Sequence, residues 1–256
     1  MEVYPKALLF RDMETETISI AAEKLGYIGP IPITNTFVTT WLVTAILIAF
    51  AYFSTRKVSP VPGTLQNFAE MLIEFLKDMV EPVAGEKTKV FFPIIASFFF
   101  FIIVGNYVGL MPGVGTIGFF GNHHEFVPLF RSINSDINTT LALALVSVLA
   151  THYFAIKYLG FGSYLQKWIS LNPIMLFVGL IEFAGEFTKI ISLSFRLFGN
   201  IYAGESVLHT ASHKLSAFFI PIPFLTLELI VGFVQALVFA MLTLVFMSLL
   251  TEKHTH

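Results

Sequence analysis

Ionisable residues line one face of an apolar stretch in the last third of this chain. Glu182, Lys189 and Arg196 are spaced by seven, so on an α-helix each lags the one before by only about 20°. Glu186 lies four residues after Glu182, Asn200 four after Arg196, and Ser192 four before it, so all six share one broad helical face. Glu205 stands nine residues beyond Arg196, a rotation of about 180° that turns it to the opposite face. In the following apolar run, Glu228 and Gln235 are seven apart and share a face.

The residue types limit the chemistry. An arginine guanidinium holds its proton up to a pH above about 12 and cannot take part in a relay. Placed in a low-dielectric path, it attracts carboxylates and repels passing cations. Groups able to take up and release a proton are Glu205, Glu228 and His209. Glu182, Glu186 and Lys189 fit equally well a structural cluster that pairs internally or snorkels to the cytoplasmic interface. No carboxylate follows Arg196 at a helical step on its own face, which points to a counter-charge on another chain. Glu205, His209 and His213 are spaced by four and could face one metal ion, so a divalent-cation transporter is an alternative. A fixed cation nearby opposes that reading. A purely structural membrane anchor is a third.

These residues need elements long enough to carry them across a bilayer. The 256 residues are 55% hydrophobic and only 12% charged, with mean hydropathy +0.78. That is an all-α integral membrane protein rather than a soluble domain. A net charge of −2 and the absence of any basic run exclude a nucleic-acid partner. With no cysteine, disulfides and thiolate metal sites are excluded. "MEVYPKALLFRDMETETISI" at the start does not read as a signal peptide.

The chain reads as a single polytopic membrane domain over 1–256, with an extramembrane segment at 1–32. Membrane spans are predicted at 33–53, 90–111 and 137–156, each close to the roughly 20 residues that cross a hydrocarbon core. Ser135 or Asp136 is placed to cap the third. Between the first two, Leu65, Phe68, Leu72, Phe75, Leu76, Met79 and Val83 recur at helical spacing, with acidic residues and Lys77 opposite. This predicts an interfacial amphipathic helix over 64–84. The segments 171–213 and 221–250 exceed one bilayer thickness as helices, the first by about twofold. Either they break, with Gly199 one candidate, or they form a long, strongly inclined hairpin, the reading preferred here. That makes about five membrane helices. The literal G-x-G-x-x-G of "GVGTIG" at 113–118 follows a membrane span instead of a strand, so it reads as a loop and not a dinucleotide site.

Loop charges set the orientation. Arg56, Lys57, Lys77, Lys87, Lys89, Lys157, Lys167 and Lys253 fall on one side, against Lys6, Arg11, Lys24, Arg131 and Lys214 on the other. Eight against five predicts the N-terminus outside and the C-terminus in the cytoplasm.

"SLSFRLFGNIYAGE" at 192–205, followed by "GFVQALVFAMLTLVFMSL" at 232–249, resembles the last two helices of subunit a of the F-type ATP synthase membrane sector. "GNYVGLMPG" and "SDINTTLALAL" resemble that family's preceding two helices. The resemblance implies a stator without catalysis or cofactor of its own, working against a ring of c subunits. It implies b-type peripheral stalk subunits and the F1 sector as further partners, membrane lipid around it, and protons as the ion carried. A bacterial plasma membrane is the location implied, with the mitochondrial inner membrane as the alternative. Two offset half-channels would meet near Arg196, which matches the family's essential arginine. Asn200 and Gln235 match its polar neighbours, and Glu205 and Glu228 match positions lining the outer half-channel. Family members often carry histidine at one of those two positions, where this chain has glutamate at both. Two carboxylates in contact would share a proton. Glu182 matches a position of the cytoplasmic half-channel. Asp136 matches a family aspartate, although a helix cap accounts for it equally.

Overall fold

The computed structural model describes residues 22–111, 114, 117–120, 126–168, 173–214 and 221–252. Strands β1 (Lys24–Ile28) and β2 (Ile31–Thr34) form an antiparallel hairpin that turns at Gly29, whose φ of +62° suits glycine. Helices α1 (Asn35–Thr55), α2 (Thr64–Ala84) and α3 (Thr88–Gly109) follow. A second small hairpin pairs β3 (Gly118–Phe120) with β4 (Phe126–Pro128). The chain ends in α4 (Ile137–Leu159), α5 (Phe161–Trp168), α6 (Pro173–Lys214) and α7 (Pro221–Thr251).

The architecture is all-α, as composition requires, and the two hairpins are small attachments. Four stretches are long and apolar enough to cross a membrane: Asn35–Thr55, Thr64–Gly109, Ile137–Leu159 and Ile222–Thr251. Helix α6, which carries the ionisable face, is not among them. Its 42 residues run as one helix through Gly199, about 63 Å at 1.5 Å per residue, so no break occurs there.

Helix α7 packs on α3 and α4, while α6 packs on α4 and α7. The apolar interior is built from Phe91, Ile95, Phe99 and Ile102 of α3, Phe239, Leu244 and Met247 of α7, and Leu193, Leu197 and Ile201 of α6. Fully enclosed Ala144, Ala236 and Ala240 let backbones approach where helices cross. Hydroxyl pairs link the same helices: Thr140 to Ser194 (3.1 Å) and Ser147 to Thr243 (2.8 Å).

Two opposite ends result. At one, Lys87 in the turn after α2 donates to the Thr251 carbonyl (3.0 Å) and hydroxyl (2.9 Å). The Lys87 ammonium also lies over the Tyr158 ring, 5.2 Å from its centroid. A cation at the last carbonyls of α7 complements that helix's dipole. Gly85, at φ +54°, makes the turn that precedes Lys87. At the other end, Asp136 caps α4, accepting from the Asn138 amide (3.0 Å), and its second oxygen accepts from the Thr36 hydroxyl (3.0 Å).

Sequence periodicity did not anticipate α5. Gly160, at φ +80°, ends α4 and turns the chain so that Tyr164 and Trp168 lie against α4 and α6. Eight residues are too few for a periodic signal to stand out in an aromatic region. Of "GVGTIG", Gly113, Gly115 and Thr116 lie outside the described residues, and Gly118 opens a strand. Residues 1–21 also lie outside them.

Asp136→Ala removes both the cap and the tie to Thr36. Thermal unfolding of the purified chain in detergent should show a loss of about 1 kcal/mol for the cap alone. Asp136→Asn, which keeps a capping oxygen, should retain most of the wild-type stability.

Candidate functional site

The sequence-predicted residues separate into an exposed stripe on α6 and a buried carboxylate site at the Asp136 end. Arg196 is exposed, and its Nη2 donates to Ser192 Oγ one turn earlier (3.3 Å). Among the described residues no carboxylate is paired with it. Asn200, Ser192 and Glu182 are exposed on the same helix, while Gln235 of α7 is half-buried. Large apolar side chains flank the stripe in the open: Ile181, Phe183, Phe187, Ile191 and Phe195. A permanent charge at bilayer depth requires protein or water against it.

Glu205 turns the other way, into the protein, as its nine-residue offset from Arg196 requires. Its carboxylate faces the Arg131 guanidinium and the Ser135 hydroxyl, and its Oε2 is enclosed without a hydrogen-bond partner. Glu228 of α7 is buried and close enough for Glu205 to act on its charge. What brings the two acids together is Gly204. The Glu228 carboxylate packs against the Gly204 backbone, where even a methyl group would overlap it.

Sequence reasoning missed Arg131. By its position it reads as a loop charge, yet it is only 5% exposed. The Arg131 Nε donates to Ser135 Oγ (3.0 Å), and its backbone amide donates to Thr39 (3.2 Å). The signal for it was a lone basic residue opening the polar run "RSINSD" directly before a membrane helix. Asn106 and Asn134 extend the polar region. Asn134 donates to Asn106 Oδ1 (2.7 Å), and Asn106 donates to the Gly232 carbonyl one turn beyond Glu228 (3.0 Å). Tyr107 donates to the Leu229 carbonyl at 3.4 Å. Asn35, Thr36, Thr39, Ser132, Ser135 and Asp136 are buried in the same region. A polar tract therefore runs through the Asp136 end to two acids and one arginine. Such groups at bilayer depth face protein or water and mark ion pathways.

The structure separates two acids that the sequence treated together. Glu182 is exposed, whereas Glu186 is buried and its Oε1 accepts from Lys189 Nζ (2.7 Å). Among the described residues no group of three ligating side chains could hold a metal. The side chains of His209 and His213 lie outside the described residues.

Fold and site together define a polytopic helical membrane protein with ionisable side chains on and between its long helices. The sequence matches the family described as ATP synthase A chain over residues 37–248, and the chain belongs to that family. It is 36% identical over 220 residues to ATP synthase subunit a 3 of Pelobacter propionicus, covering 84% of this chain and 87% of that one. Identity to ATP synthase subunit a of Desulfotalea psychrophila is 37% over 255 residues, 93% and 97% of the two chains. Identity to that of Moorella thermoacetica is 30% over 231 residues, 90% and 97%. The family is a non-catalytic, proton-translocating part of the membrane sector, and this chain is an integral protein of a bacterial plasma membrane.

Gly204→Ala should displace the Glu228 carboxylate from its seat. The group met is the mobile end of a side chain, so the cost is a rotamer change of about 1 kcal/mol. The expected result is near-normal thermal stability with slowed proton pumping in the assembled complex, and partial recovery when Glu228→Asp shortens the displaced side chain.

Proposed function

We propose that this chain is the stator that loads and unloads protons on the carboxylates of a rotating c ring, through two half-channels that meet near Arg196. The observation that carries this reading is the division on α6. One short stretch turns a permanent cation outward at Arg196 and an enclosed acid inward at Glu205, beside Glu228 and Arg131. The two surfaces can therefore serve different tasks.

On the outer side, the polar tract at the Asp136 end admits water and protons to the Glu205–Glu228 pair. Two adjacent carboxylates with one arginine beside them hold a shared proton without accumulating two negative charges. Release of that proton neutralises a ring carboxylate, which can then enter the lipid phase. On the inner side, the ring carboxylic acid gives up its proton as it nears Arg196, because a fixed cation in a low-dielectric setting favours the ionised form. The same charge repels protons that would leak directly between the half-channels. Asn200 and Gln235 orient water and the ring carboxylate near the guanidinium, Ser192 holds it in place, and Asp136 lines the outer entrance. Glu182 and His209 are further members of the pathway.

The orientation is N-terminus outside and C-terminus cytoplasmic, so the Lys87 end faces the cytoplasm. In the assembled complex, b-type stalk subunits hold the chain against rotation and the F1 sector carries out the ATP chemistry. The length of α6 suits a helix inclined along the curved wall of a ring.

Reconstitution of the complete complex tests this. Arg196→Ala and Arg196→Lys are expected to abolish ATP-driven acidification of vesicles, and Glu205→Gln to slow it. Coupled pumping by Arg196→Ala at the wild-type rate would falsify the assignment.

A further inference from the structure

Three features lie outside that site: the β1–β2 hairpin, the exposed apolar side of α2, and a polar cluster where α4, α5 and α6 meet. Nothing in the structure names an occupant for the first two. The third carries chemistry.

His152 of α4 is half-buried, with its Nε2 3.6 Å from Glu186 Oε2 on α6. Its Nδ1 shares a hydrogen bond with the Tyr164 hydroxyl of α5 (3.1 Å). The other Glu186 oxygen accepts from Lys189 (2.7 Å), and that ammonium lies over the Phe246 ring of α7, 4.7 Å from its centroid. Tyr164, Glu186 and Lys189 are thus the titratable groups that face His152, from α5 and α6. Apolar side chains surround them. An open groove of about 660 Å³ beside the pair is lined by Trp168 and by the exposed side chains of Leu176, Leu180, Phe183 and Phe187 among others. Glu186 Oε2 is enclosed and has no hydrogen-bond partner.

A histidine beside an enclosed carboxylate is an arrangement that holds and passes protons within membranes. A separation of 3.6 Å exceeds a hydrogen bond, but such contacts are often loose before the working complex forms. The position is informative. Glu186 precedes Arg196 by ten residues, about 15 Å along α6, while Glu205 follows it by nine, about 14 Å. From Glu186 the polar side chains continue at steps of three, three and four: Lys189, Ser192, Arg196. The fixed cation therefore stands between two proton-holding pairs. Each pair has its own companion cation, Arg131 at the Asp136 end and Lys189 toward the Lys87 end.

We infer that His152 and Glu186 form a second proton-exchanging pair, which receives the proton released near Arg196 and passes it toward the cytoplasm with Tyr164 as the outer hydrogen-bond partner. This rests on the proton-translocating reading above and adds residues to its exit side. The proton leaving a ring carboxylic acid converts the neutral imidazole or the Glu186 carboxylate to its protonated form. Loss of that proton to the cytoplasm restores the starting state, so no other reactant is needed.

The test varies pH on one face at a time. The complete complex is reconstituted in vesicles with its F1 sector outward, so the external buffer bathes the Lys87 end. The initial rate of ATP-driven acidification is measured against external pH at fixed internal pH, and then the reverse. His152→Gln and Glu186→Gln should each lower the rate at least about tenfold, and change the external pH profile while leaving the shape of the internal one unaltered. Glu205→Gln should do the opposite. Where His152→Gln fails to assemble, Tyr164→Phe keeps the ring packing, and a changed external profile is still expected. External profiles that superimpose on the wild type in the assembled variants would overturn the inference. Failure of the underlying reading looks different, because Arg196→Ala would then continue to pump.

Discussion

An arginine cannot give up its charge at bilayer depth, and much of this structure is arranged around that constraint. Hydrocarbon offers no counter-charge and no water, so Arg196 has to face protein or a water-filled space. It occupies an exposed strip of α6 bordered by bare phenylalanine and isoleucine side chains, with Ser192 holding it one turn away. The interior of the bundle is kept for groups that can be compensated from within. Leu193, Leu197 and Ile201 point inward from the same helix and anchor it on α4 and α7.

Compensation elsewhere is local and leaves one oxygen of each of Glu186 and Glu205 unpartnered. Arg131 lies against Glu205, Lys189 against Glu186, and Lys87 against the last carbonyl of α7. Hydroxyl and amide pairs between helices add a smaller share. Such contacts average about 0.6 kcal/mol within membranes because the separated helices also find partners. Their greater effect is on register. The Thr140–Ser194 and Ser147–Thr243 pairs tie α6 and α7 to α4 at one axial position each, in register with the packing that brings the acids together.

Several features could be read directly along the chain. Uncharged runs of sufficient length give membrane helices, because backbone groups in hydrocarbon must be satisfied within the segment. The seven-residue spacing of Glu182, Lys189 and Arg196 gives a shared face from helical geometry alone, and the nine-residue offset turns Glu205 away. The acidic residue before α4 reads as its cap, and Asp136 is that cap. What periodicity could not supply was the identity of the neighbours. Arg131 looks like an ordinary loop charge, and His152 like an isolated polar residue in an apolar helix. Glu182 and Glu186 fall on one broad face, yet Glu182 is exposed while Glu186 is buried beside His152 of α4.

The sequence by itself determined the helical membrane class, the lengths of the long elements and the placement of Arg196 and Glu205 on opposite sides of one helix. Those properties depend on local backbone geometry and on hydrophobicity summed over about twenty residues. Tertiary structure alone decided that Gly204 gives Glu228 room beside Glu205, that Arg131 enters the protein to face them, and that His152 meets Glu186. Each of these pairings joins residues far apart in the chain, and their separation depends on how helices cross and slide. Side-chain packing over the whole bundle sets those quantities, and no local pattern encodes them.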